Sequence, residues 1–136
     1  MQKIEEIALS KLILDENYCK SVLPFIKEEY FEQSELRTLF GEVNNYVTQY
    51  NTMPEPLALK IEVEKRRDLS AELINEIEKF LDERIDNQHY NDEWLMDTTE
   101  KWCKERAIYL ALMDSIKIAD GQDKARTKDA IPHIVS

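Results

Sequence analysis

The sequence predicts an all-α fold, and three observations carry that prediction. Apolar residues recur at helical spacing in at least five segments. Only two glycines and four prolines occur in 136 residues, too few for the turns that a strand-rich chain needs. A single run of 28 residues, Glu93 to Asp120, contains neither, well above the mean helix of about 11–12 residues. With 43% hydrophobic and 34% charged residues, the chain can bury one real core and is globular rather than disordered.

The first predicted helix, "KIEEIALSKLIL", sets Ile4, Ile7, Ala8 and Leu12 on one face. "DEN" at 15–17 breaks it, and Asp15 is the N-cap of a short helix through Tyr18, Cys19 and Val22. Pro24 ends that helix, since it lacks an N–H and disfavours a helical Leu23. Ser34 is the expected cap of the cleanest amphipathic helix, with Leu36, Leu39, Phe40, Val43, Val47 and Tyr50 in phase. Its Gly41 costs about 1 kcal/mol against alanine, which points to a close neighbouring element.

"NTMPEP" at 51–56 stops that helix, and Pro56 suits the first turn of the next, through Leu57 and Ile61, which fades at "KRRD". Ser70 caps a fifth helix carrying Leu73, Ile74, Ile77, Phe80, Leu81 and Ile85. The polar linker "DNQHYN" leads to the long helix opened by Asp92, with Gly121 as its stop. "QDKARTKD" is a polar turn, and "AIPHIVS" begins a further helix.

Tyr30, Phe31, Leu36, Leu39, Phe40, Val43, Val47, Ile77 and Leu81 are the expected core. The long helix is apolar on two sides. One stripe runs Leu95, Trp102, Tyr109, Met113, Ile116, and another Cys103, Ala107, Leu110, Ala111, Ile118. Two apolar sides require two partners, one of which could be a second subunit. Trp102, Tyr109, Leu110, Met113 and Ile116 are the candidate interface residues.

Nothing in the sequence points to chemistry. Gly41 and Gly121 stand alone, so there is no phosphate-binding loop and no dinucleotide fingerprint. His89 and His133 lack partners at metal-ligand spacing, no Glu-x-x-His pair occurs, and no nucleophile elbow is present. The adjacent acids Glu5-Glu6, Glu28-Glu29 and Asp92-Glu93 are expected to be solvated rather than catalytic, because 28 acids produce such pairs by chance. Catalytic, cofactor and metal residues are therefore expected to be none.

The net charge of −10 opposes tight nucleic-acid binding. The basic clusters Lys65-Arg66-Arg67 and Lys124–Lys128 read as solvated helix ends. Trp94 and Trp102 read as packing residues rather than base-stacking platforms. Cys19 and Cys103, far apart, read as reduced thiols of an intracellular protein. There is no signal peptide pattern and no apolar run of membrane-spanning length.

Taken in order, "ALSKLILDENYCKSVLPFIKEEYFE", "LRTLFGEVNNYVTQYNTMPEPLAL", "TTEKWCKERAIYLAL" and "DAIPHI" resemble the N-terminal domain of the DnaB-type hexameric replicative DNA helicases, in particular the T-even-like phage branch. The resemblance runs from Ile7 to Val135 and rests on order and spacing rather than on one motif. It implies a compact helical head, residues 1–91, then a long helix that begins a helical hairpin, residues 92–136, in one structural domain without a RecA-like motor. It implies pairing through the hairpin, assembly of the pairs into a hexamer, and docking of primase or a helicase loader. ATP and Mg would belong to the motor of the parent, an ATP-dependent helicase in the cytoplasm of a phage-infected host. The parent gene is expected to continue past Ser136.

Two other classes compete with this reading. A free-standing helical adaptor that binds a partner helix would have a stop codon near Ser136. A small helical enzyme would show a desolvated acid in a pocket.

Overall fold

The computed structural model describes residues 2–120, within which six α-helices and no strand occur. They are α1 (Gln2–Leu14), α2 (Glu16–Val22), α3 (Ser34–Tyr50), α4 (Pro56–Glu64), α5 (Ala71–Lys79) and α6 (Asp92–Ala119). Single 3₁₀ turns at Leu23–Phe25 and Glu28–Tyr30 join α2 to α3. Gly121, the "QDKARTKD" turn and the "AIPHIVS" helix lie outside the described residues.

The chain divides into two compact units, one ending at Trp102 and one beginning at Cys103. The boundary between these units lies inside α6. The reason is local. Leu95, Thr99 and Trp102 are buried in the head, so the first turns of the helix belong to its core.

Several helix ends follow their sequence signals. Asp15 caps α2, with Oδ1 accepting from Tyr18 N–H at 3.1 Å. Ser70 caps α5 through Leu73 N–H at 3.1 Å. Asp92 opens α6 as expected, and Asn91 before it accepts from Trp94 N–H at 3.0 Å. α3 closes on Asn51 in the left-handed region, φ 55°, a conformation Asn tolerates better than most residues.

The start of α3 departs from expectation. Ser34 is its first helical residue, and Gln33 at the cap makes no side-chain cap bond. The acceptor comes instead from α1. Glu5, fully buried, takes the N–H of Glu32 at 2.9 Å and of Gln33 at 3.5 Å on Oε1. A carboxylate there also lies at the positive end of α3. The expectation that Glu5 is solvated was thus wrong. The segment entering α3 leaves N–H groups that need an acceptor, and the first turn of α1 faces them.

Glu28 and Glu29 are exposed, while Tyr30 and Phe31 next to them are buried. The Glu28 carboxylate lies over Gly41, where an added Cβ would sit 2.6 Å from its Oε1. That is the close neighbour behind the helical glycine, although a flexible side chain could move aside.

The fifth helix, expected to run to Ile85, changes after Lys79 into a π-helical turn, Phe80–Arg84. This turn buries both Phe80 and Leu81. It also brings Arg84 within 3.2 Å of Glu35 and 3.8 Å of Glu6. The linker that follows is fastened to α1. Ser10 Oγ accepts from Asp86 N–H at 2.9 Å, and the Lys11 ammonium donates to the Gln88 carbonyl.

The core is built on Phe31, with no exposed surface. Its ring meets Phe40 at 5.3 Å and Trp102 at 5.1 Å. Tyr30, Leu36, Leu39, Val43, Ile77 and Leu81 are buried around it, and Val47 is half-buried because α3 emerges to the surface there. Tyr18 on α2 is tied to Thr99 on α6 by a buried 2.7 Å hydroxyl–hydroxyl bond.

Truncating Trp102 to alanine removes a 2%-exposed indole from this cluster. Urea unfolding of Trp102→Ala should show a loss of about 3–5 kcal/mol. A loss under about 1 kcal/mol, the range of mild substitutions, would mean the ring is not core.

Candidate functional site: the exposed face of the long helix

From Cys103 onward no described residue of α6 is buried. Large apolar side chains nonetheless continue. Ile108 is 61% exposed, Tyr109 46%, Leu112 59% and Ile116 49%. Residues 108, 112 and 116 follow one another at i, i+4, and Tyr109 lies beside them, so the four share one face. Leu110, Met113 and Ile118 are half-buried on other faces. Arg106 lies over the Tyr109 ring at 4.8 Å, holding that aromatic against the helix surface.

The candidate interface residues separate accordingly. Trp102 does not belong with them: it packs on Phe31 and, edge-on at 6.2 Å, on Tyr30. Tyr109 and Ile116 are exposed, and Leu110 and Met113 are half-covered. Ile108 and Leu112, the most exposed pair, were in neither predicted stripe. Their signal was the four-residue step 108–112–116.

A face of this kind offers contact area and no reactive group. Elsewhere, ionisable groups with shifted equilibria have structural causes. The Glu64 side chain, hydrogen-bonded to Glu78, pushes the Glu78 carboxyl up, with burial adding to it. Asp86 beside Tyr90 raises that phenol. Burial, then Glu16, raises the Cys19 thiol. Among the described residues no group of His, Cys, Asp and Glu is arranged to hold a metal ion, and no helix is long and apolar enough to cross a membrane.

Burial of Cys19 has a chemical consequence. The thiolate is the nucleophile, and a raised, covered thiol supplies little of it. Iodoacetamide at mildly alkaline pH should label half-buried Cys103 first, and Cys19 only on unfolding. Equal labelling rates in the folded chain would contradict the packing of α2.

No family model matches the chain. Over 113 residues it is 30% identical to the DnaB-like replicative helicase of Enterobacteria phage T4. That match takes in 83% of this chain and 23% of the relative, so the chain spans about a quarter of the length of the protein it resembles. The all-α architecture is consistent with the N-terminal domain of such helicases. The chain is a relative of the DnaB-like replicative helicases.

Proposed function

We propose that this chain is the non-catalytic N-terminal assembly and partner-docking domain of a replicative DNA helicase. Its role is to bring subunits together into the ring collar and to present a surface for primase or a helicase loader. ATP, Mg and DNA unwinding would belong to a motor domain of the parent protein, working in the cytoplasm of a phage-infected host. The observation that carries the reading is the exposed row Ile108, Tyr109, Leu112 and Ile116 on a helix in a relative of the DnaB-like helicases. An uncovered apolar row marks an interface. A second copy, meeting the same row about a two-fold axis, covers it on both chains at once.

Sedimentation equilibrium should show a dimer or larger species. Tyr109→Glu or Leu112→Glu should weaken association at least about tenfold, close to 1.4 kcal/mol, because each places a charge in a dry contact. A chain that is monomeric at millimolar concentration would overturn the reading.

The chain alone should hydrolyse no ATP, since it has no glycine-rich phosphate loop. Its excess of acids should keep affinity for single-stranded DNA weaker than micromolar at physiological salt. Submicromolar binding in a fluorescence anisotropy titration would contradict this.

A further inference from the structure

The head carries a surface feature of its own. A cleft of about 310 Å³ opens between the start of α2 and the start of α6, lined by Asp15, Asn17, Tyr18, Ser21, Asp92, Leu95 and Met96. Its lining joins the buried Leu95 and Tyr18 to Met96, which is 39% exposed and supplies its open apolar surface. Its rim is acidic, with Asp15 and Asp92, and no basic residue lines it.

The surroundings reinforce that sign. Residues 1–102 hold 23 of the 28 acids and 12 of the 18 bases. Lys20, Lys60, Lys65, Arg66, Lys79 and Arg84 are already engaged with carboxylates.

We infer that this cleft docks a cationic, apolar-sided segment of a partner protein. An arginine or lysine of that segment lays its aliphatic stem along Met96 and sets its charge between Asp15 and Asp92. Such a side chain has both halves the cleft asks for: a hydrocarbon body and a positive tip. The inference rests on the partner-docking reading above and adds to it the place and the chemistry of the partner.

The probe is a synthetic amphipathic helix, leucine on one face and arginine on the other, titrated against the whole chain by following tryptophan fluorescence at physiological salt. Binding is expected, and a glutamate version of the peptide should fail. Asp15→Asn with Asp92→Asn should weaken binding at least about tenfold, since interfacial charge pairs are often worth that much. Asparagine caps a helix as well as aspartate, so α2 keeps its start. The control pair Glu55→Gln with Glu72→Gln removes two exposed acids elsewhere and should leave binding within about twofold, because rim charges far from a contact matter little.

Met96→Glu is the sharpest arm. It adds negative charge, so attraction by charge alone would grow, whereas docking in the cleft should weaken. Equal losses from the two double variants, tighter binding by Met96→Glu, or no binding at all would overturn the inference. So would loss of self-association in Asp15→Asn/Asp92→Asn, which would make a second copy the occupant. Tyr109→Glu should dissociate the chain and leave peptide binding unchanged, so the failure of one proposal is distinguishable from the failure of the other.

Discussion

The head depends on one buried contact, the ring of Phe31 held between Phe40 and Trp102. Phe31 comes from the segment between the second 3₁₀ turn and α3, Phe40 from α3, and Trp102 from the fourth decade of residues after α4. The aromatic cluster therefore ties α6 to a segment more than 60 residues earlier in the chain. Closing loops of this length costs entropy before any contact repays it. Large rings repay it well, since each buries a large area and adds an edge-to-face or tilted attraction. The neighbouring bonds serve the same end. Glu5 secures the entry to α3, and the Tyr18–Thr99 bond secures α2 to α6. With these in place, the start of α6 is no longer free to act as an interface.

Much of this was readable beforehand, and the reasons are specific. Asp15 and Ser70 were recognisable caps because the bond they make spans three residues, within reach of local sequence. The core residues of α3 were recognisable because a single buried face imposes an unbroken helical period. Glu5 was not. Its partners, Glu32 and Gln33, lie 27 and 28 residues on, and nothing local distinguishes a buried acid from a solvated one. The π-helical turn at Phe80–Arg84 was also invisible, because the apolar pattern of a fifth helix continues through it.

The long helix shows the same limit in a different form. Residues seven apart stay near one face, drifting by only about 20° per heptad on a straight helix. Trp102, Tyr109 and Ile116 therefore form a proper stripe in the sequence. Periodicity records that each member needs cover, not what supplies it. The head covers Trp102, while Tyr109 and Ile116 are left open. Burial is a tertiary property, so the point at which cover changes could come only from the coordinates.

Charge distribution gives a reason for placing self-association on the helix rather than on the head. Residues 1–102 carry an excess of 11 acids over bases, whereas residues 103–136 are close to neutral, with five acids and six bases. Two such heads brought face to face would repel across any gap shorter than the Debye length, about 8 Å at physiological salt. An apolar row on a nearly neutral helix meets no such opposition. Its contact is governed by the area removed from water, roughly 25 cal/mol per Å². The excess of acids in residues 1–102 favours cationic partners and disfavours nucleic-acid backbones. The proposed self-association and the proposed partner docking thus call on different parts of the chain, one apolar and nearly neutral, the other acidic.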